Sequence, residues 1–463
     1  MLAPDDQRVL RALGVFHGSF SLAAVAAIAG SDADGRIAEL VRRSLVVRDG
    51  IDRTRYRLLD STRRFAIGRL TEAGELPQAR EQHLAFVTSL FAGSIDRWEE
   101  LPDDAWRAAY RPDGDNLRAA LEFAHSRPGS NGYVELAAQT SRFFIEEQLG
   151  AEGLSVIEAG MALAPAASPQ AAAHIGLALG EICRFNAMDI RSGEGLTPAV
   201  KWLRASGDTI RYHQGLALLT LRSIFFRSRE TPERLVAELT AQLPVMKTSK
   251  TKAWSLVVLG AQMWLNGEIE AGIARVNAGL AMHRETGNMQ GLFRSAMNFS
   301  EVVHRAGDSA LALSITGGIL PDLRQYGSRL QLANHLSNMA AYHYWSGDHA
   351  RAAPYHAEAM ALSPRDGSYW HVCMLQNEVE QLYLEGAHTR AALLLGIVDR
   401  RLRAWPDGRQ ETEQMQRDSL EQRLAATLGS AEYGRLLAQG ETLDLVDAEQ
   451  LADPGRRAPM TGQ

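Results

Sequence analysis

The chain has 463 residues, a net charge of −6, 46% hydrophobic residues and 22% charged residues. That balance is ordinary for a globular protein and excludes disorder over most of the length. Leu- and Ala-rich stretches are broken by Arg, Glu or Asp before they reach membrane-spanning length, so no segment is expected to cross a bilayer. The start, Met1 to Asp6, is acidic and has no basic segment followed by an apolar run, so no secretory signal is expected and the cytoplasm is the expected location. Cys183 and Cys373 stand far apart without disulfide spacing and read as two buried free thiols. The charge is uneven. Residues 1–75 carry twelve Arg against ten Asp and Glu, near +2, and the remainder is near −8, so only the first part is eligible for phosphate contact.

In chain order, Asp5 to Val15 repeats Val9, Leu10, Leu13 and Phe16 at helical period. Ser21 can cap a short helix Leu22–Ala29, and Asp34 can open a third with Ile37, Leu40 and Val41 on one face. The period then changes. Ser44 to Arg48 is short and β-branched, Asp49-Gly50 is a turn pair, and Thr54 to Leu58 alternates. Three helices and a two-stranded ribbon describe a winged helix. Asp60 is the expected N-cap of a helix Ser61–Thr71 that buries Phe65, Ala66 and Leu70.

These residues resemble a family. Leu10–Phe20 (LRALGVFHGSF), Arg43–Val46 and Tyr56–Ala66 resemble the winged-helix module of bacterial signal-transduction ATPases with numerous domains. His83, Asp115–Leu121 (DNLRAAL), Ala391–Gly396, Leu428-Gly429 and Gly440 extend the resemblance over most of the chain. It implies a regulator, many of that family controlling transcription, in which a nucleotide switch is coupled to a sensor array. The chain departs from the family in lacking any G-x-x-x-x-G-K-[ST] sequence, and the position before Asp60, where related switches often carry His, is Leu59. ATP binding is therefore not expected.

Residues 78–165 read as a helical connector anchored by Phe86, Phe91, Trp98, Trp106, Phe123, Phe143 and Phe144 and punctuated by Pro102, Pro112 and Pro128-Gly129. Beyond it, two interleaved series of turns set the architecture. One has Gly267, Gly307, Gly347 and Gly386; the other has Gly207, Gly287, Gly327 and Gly367, with Thr248-Ser249-Lys250 at a position where glycine is missing. Turns about every twenty residues predict helices of roughly 15–17 residues, paired into hairpins that hide their apolar faces on the next pair. The expected fold is mainly α: an N-terminal winged helix (1–75), a connector (76–165), a right-handed α-solenoid of tetratricopeptide-like hairpins (166–400), capping helices (401–452) and a disordered tail (453–463).

Superposing the repeats at Gly287 and Gly327 aligns Arg294 with Asn334 and Asn298 with Asn338. Their i, i+4 spacing puts each pair on one face, with Glu301 and Trp345 nearby. This polar stripe is the candidate ligand groove; solvated helix positions and inter-repeat hydrogen bonds are the competing reading. Arg36, Arg42, Arg43 and Arg55 are the candidate contacts to DNA or a partner, set among Asp34, Glu39, Asp49 and Asp52. His335, His343, His349 and His356 have spacings of 8, 6 and 7, which supply no zinc pattern. No catalytic residue, cofactor or metal is expected. The functional expectation is a non-enzymatic sensor that binds a protein or small molecule and relays it through the winged helix. The alternatives are a DNA-binding factor, or the sensor half of a split ATPase with a separate P-loop subunit.

Overall fold

The structure, a computed structural model, describes residues 2–49, 54–127, 131–186, 188–226, 232–405 and 408–452. The chain divides into two compact units, Met1–Asn186 with Arg191–Leu219, and Ala187–Ile190 with Thr220–Gln463. Gly50 of the expected turn, Asp52, Arg53, Pro128-Gly129 and the tail from Asp453 lie outside the described residues. Among the described residues no helix is long and apolar enough to cross a membrane.

The first unit opens with α1 (Pro4–Leu13), β1 (Ser19–Phe20), α2 (Leu22–Ala29), α3 (Asp34–Arg42), β2 (Val47–Asp49) and β3 (Arg55–Arg57). Ser21 caps α2 as expected, accepting from the Ala24 amide. The strands form an antiparallel sheet in the order β1–β3–β2, with Tyr56 opposite both Phe20 and Arg48. β1 was not expected, because two residues are too few to show alternation. Phe16 and Phe20 stack at 4.7 Å over Val9, Leu13, Val25, Ile37 and Leu40, which form the core of this module.

The chain continues through α4 (Asp60–Glu72), α5 (Leu76–Phe91), α6 (Ser94–Glu100), α7 (Asp103–Tyr110), α8 (Gly114–His125), α9 (Asn131–Ala138), α10 (Ser141–Glu146), α11 (Gly150–Leu163), α12 (Pro169–Phe185), α13 (Asp189–Ser206) and α14 (Thr209–Phe226). On α4, Ala66 and Leu70 are buried, but Phe65 is 61% exposed. The expectation for Phe65 is corrected: the core-facing stripe follows Ala66 and Leu70 at i, i+4, and Phe65 falls to one side of it. Of the connector aromatics, Phe91, Trp98, Trp106, Phe143 and Phe144 are buried, and Phe86 and Phe123 are half-buried.

The second unit holds α15 (Pro232–Gln242), α16 (Lys250–Leu265), α17 (Ile269–Glu285), α18 (Met289–Arg305), α19 (Ser309–Tyr326), α20 (Arg329–Trp345), α21 (His349–Leu362), α22 (Tyr369–Leu384), α23 (His388–Arg403), α24 (Glu411–Leu428), α25 (Ser430–Gly440) and α26 (Leu445–Ala452). Helices α16 to α23 pack as four successive hairpins, α16 with α17 through α22 with α23. Gly260 and Gly272 let α16 and α17 touch backbone to backbone, since a Cβ on either would meet the other's carbonyl oxygen at 2.7–2.8 Å.

The turns work as the spacing predicts, with two differences. Gly267, Gly287, Gly307, Gly347 and Gly386 take positive φ as the left-handed residue after a helix, whereas Gly367 takes it in the loop just before α22. Asn288, Asp308, Ser328 and Asp348 then cap the following helices, and Ser249 does so where glycine is missing. Gly327 instead has φ −77° and ψ 153°. Glycine is needed there for space, because a Cβ would sit 2.5 Å from the Leu323 carbonyl oxygen.

Candidate functional site

Side chains from α18, α20 and α22, the first helices of successive hairpins, form one face around the start of α24. On α18, Arg294, Asn298, Glu301 and Arg305 follow one another at steps of four, three and four. On α20 the face carries Asn334, Asn338 and Tyr342; on α22 it carries Tyr369, Cys373 and Gln376. This face is covered in part by the start of α24, which comes from 111 residues further along the chain. Thr412 Oγ1 donates to Glu301 Oε1 at 3.2 Å, and Arg305 pairs with Glu411 at 2.6 Å. Gln376, fully buried, donates to the Glu413 carbonyl at 2.8 Å and to Gln416 Oε1 at 3.0 Å, while its Oε1 accepts from Arg409 Nε at 3.1 Å. The Tyr369 hydroxyl accepts the Gln410 amide at 3.1 Å.

Behind this contact, Asp399 on α23 is buried and holds Arg409 at 2.6 Å and Arg417 at 3.1 Å. The pair at Arg305 is different in kind. Glu411 is 60% exposed, so the pair contributes about 0–1 kcal/mol.

Burial, and then the charge of Glu301, pushes the Glu413 carboxyl up to about 7, against a weaker pull from Arg409 and Arg305. Its Oε2 is buried and has no hydrogen-bond partner among the described residues. Burial raises the Tyr342 and Cys373 groups well above their ordinary ranges, with Glu301 and Glu413 adding to the effect. Burial is the first cause of all three shifts, and the charges of Glu301 and Glu413 add to it.

The stripe predicted from the sequence sits on two of these helices, with Arg294 and Asn298 in helical register with Glu301 on α18, and Asn334 and Asn338 in register with Tyr342 on α20. Asn298 is buried, and Arg294, Asn334 and Asn338 are half-buried. The Asn334 Oδ1 atom is buried without a hydrogen-bond partner among the described residues. Trp345 stands at the end of α20 and meets the His304 ring edge-on at 5.8 Å. Sequence reasoning missed Arg305, Tyr369, Gln376 and Glu413. The repeat aligns hairpins with their neighbours, but carries no signal for a later helix returning onto them.

The four N-terminal arginines separate into two kinds. Arg36 pairs with Asp5 at 2.7 Å and Asp6 at 3.1 Å. Arg55 lies inside the first unit, bound to Ser19, to the Pro112 carbonyl and to Asp113 at 2.7 Å. Arg42 and Arg43 remain at the surface at the end of α3, and both pair with Glu39. Next to Arg55, the DNLRAAL segment has a structural task. Asn116 accepts the His17 amide at 2.9 Å and His83 Nε2–H at 3.3 Å, and donates to the Ser19 carbonyl at 2.8 Å and Asp113 at 3.2 Å.

The histidines of the array are dispersed. His335 donates to the Thr316 carbonyl at 3.0 Å, His356 meets Glu378 at 2.6 Å, and His343 lies 3.9 Å from Asp348. Among the described residues no group of three or more His, Cys, Asp or Glu side chains is placed to hold a metal.

No family model matches the chain. It is similar to a Mycobacterium tuberculosis protein named "Putative HTH-type transcriptional regulator", 39% identical over 146 residues, which are 30% of this chain and 16% of that protein. A Mycobacterium bovis protein of the same description gives the same figures. The chain therefore spans only 16% of the length of these curated relatives. Among solved structures, a Rap protein complexed with competence and sporulation factor superposes with a TM-score of 0.53 at 9% identity, covering 81% of this chain and 99% of that one. NprR in complex with its cognate peptide NprX gives 0.45 at 13% identity, over 79% and 94% of the two chains. A signal-transduction ATPase with a tetratricopeptide repeat sensor from Pyrococcus horikoshii gives 0.44 at 12%, over 95% and 66%. The likeness to the Rap protein shows a shared fold, that of a protein built from helical hairpins.

Proposed function

We propose that the chain is a non-enzymatic regulatory sensor, in which the face of α18, α20 and α22 takes a segment of a partner protein and an N-terminal winged helix relays its arrival. The observation that carries this reading is that the face already holds a stretch of polypeptide. The start of α24 is bound there through both backbone and side-chain groups. Two comparisons support it: the Rap structure is a complex with competence and sporulation factor on a similar fold, and the mycobacterial relatives are named as transcriptional regulators. The order of helices and the three-stranded sheet of the first 57 residues support the winged-helix part of this reading.

Direct reading of DNA is less well supported than protein contact. Arg36 and Arg55 are held by internal acids, and Arg42 and Arg43 share Glu39. A salt-sensitive gel shift that disappears on charge reversal at Arg42 and Arg43 would reverse that preference.

The test of the ligand face is peptide display panned on the full chain and on an Asn334→Ala/Asn338→Ala variant. Peptides recovered by the first and lost by the second are expected. Recovery of none, or of the same peptides by both, would remove the face as the ligand site.

A further inference from the structure

The first turn of α24 is held as a peptide ligand is held. Gln376 and Tyr369 contact its backbone, donating to the Glu413 carbonyl and accepting the Gln410 amide. Such contacts accept any sequence. Arg305 and Glu301 contact its side chains, pairing with the Glu411 carboxylate at 2.6 Å and accepting the Thr412 hydroxyl at 3.2 Å. These select an acidic residue followed by a hydroxyl, because an arginine favours a carboxylate and a carboxylate oxygen needs a donor.

The same turn is held by polar contacts and buries no apolar side chain of its own. The buried residues of α24, Leu420 and Leu424, lie more than two turns further on. Glu411 is largely in solvent, and Glu413 Oε2 is enclosed without a donor among the described residues. The turn can therefore leave while the rest of the helix stays anchored. The charged and titratable groups around Glu413 are Glu301 and Arg305 from α18, Tyr342 from α20, Tyr369 and Cys373 from α22, and Arg409 and Glu411 beside it.

We propose that Gln410–Glu413 is a built-in stand-in for an acidic, hydroxyl-bearing segment of a partner protein, which displaces it and takes its contacts with Glu301, Arg305, Tyr369 and Gln376. The proposal rests on the reading of this face as the ligand site and adds the chemistry of the ligand and the means by which the site is kept closed. Because the stand-in is tethered, a partner segment competes with an intramolecular rival at high effective concentration. Arrival of the partner is thus coupled to release of the α24 start.

The probe is a fluorescein-labelled peptide of residues Arg409–Ser419, followed by fluorescence polarisation. A full-length Glu411→Arg/Thr412→Ala variant, whose own turn is repelled by Arg305, is expected to bind it at least tenfold more tightly than the wild-type chain. Adding Arg305→Glu should abolish the gain. Equal binding to wild type and variant, no binding to either, or binding that survives Arg305→Glu overturns the proposal. A second measurement needs no variant: excess peptide should speed hydrogen exchange at residues 412–416 of the wild-type chain at least fivefold, and unchanged exchange at saturating peptide overturns it equally. Display panning separates the two readings. Peptides without acidic residues that still need Asn334 and Asn338 would leave the ligand face standing and remove the stand-in.

Discussion

Asn116 shows how a single amide side chain can join segments a hundred residues apart. With its carbonyl oxygen accepting from His17 and His83 and its amide donating to Ser19 and Asp113, it uses both ends of the group. Asn116→Ala should cost about 2–3 kcal/mol of stability, because buried partners lose their hydrogen bonds while the backbone stays in place. Urea unfolding of the full chain measures this, and a loss under 0.5 kcal/mol would contradict the assignment. Buried histidines make a second prediction at this scale. His283 accepts from Asn288 through Nδ1 and donates to Ser295 through Nε2, which fixes it as neutral. Burial lowers His283 to about 3, and His83, His304 and His335 to about 4. Above pH 6.5 neither folded nor unfolded chain binds these protons. Between 6.5 and about 4 only the unfolded chain does, so stability should fall with acid by about 1.4 kcal/mol per pH unit for each histidine. Unfolding at pH 7, 6 and 5 should show this, with a shallower slope for His304→Phe.

At the scale of elements, α24 and the hairpin helices behave differently. The hairpins were legible because each obeys a local rule: a left-handed glycine, a capping side chain, then sixteen or so residues with small groups where partners touch. Gly327 shows the limit of that rule, since the sequence marks glycine but not which of its two properties is used. α24 has a mainly polar surface with two buried leucines, and nothing in its own pattern says where its first turn lies. Its placement predicts an opposite pH response. The Glu413 carboxyl is raised from 4.5 to about 7, so the docked turn is most stable below pH 4.5 and weakens as pH rises through 7, by up to about 1.4 kcal/mol per unit. Hydrogen-exchange protection at the start of α24, corrected for intrinsic rates, should decline from pH 5 to pH 8. Glu413→Gln should flatten the profile; an unchanged decline in that variant would show that another group is responsible.

Within the second unit as a whole, the return of α24 onto α18 departs from simple stacking. A repeat array joined only through neighbours opens one hairpin at a time. Here contacts from Glu301 and Arg305 to residues 411 and 412 add a link between helices that are not neighbours while the α24 start is docked. Native-state hydrogen exchange in low urea should therefore find α18 and α19 opening no more easily than α22 and α23. Arg305→Ala/Thr412→Ala should let α18 and α19 open at lower free energy than α22 and α23. Easier opening of α18 and α19 in the unaltered chain would show that the link carries no cooperativity.

The amino-acid sequence specified the helical hairpins, their lengths and most of their caps, because turns, caps and helical period are set by residues a few positions apart. It also placed the first three helices and two of the three strands of the N-terminal module. Tertiary structure alone decided that Arg36 and Arg55 are held by acids, that Phe65 faces solvent, and that Arg305, Tyr369 and Gln376 meet the start of α24. Those outcomes depend on which distant surfaces meet, and a contact across 111 residues leaves no periodic trace in either of the segments that make it.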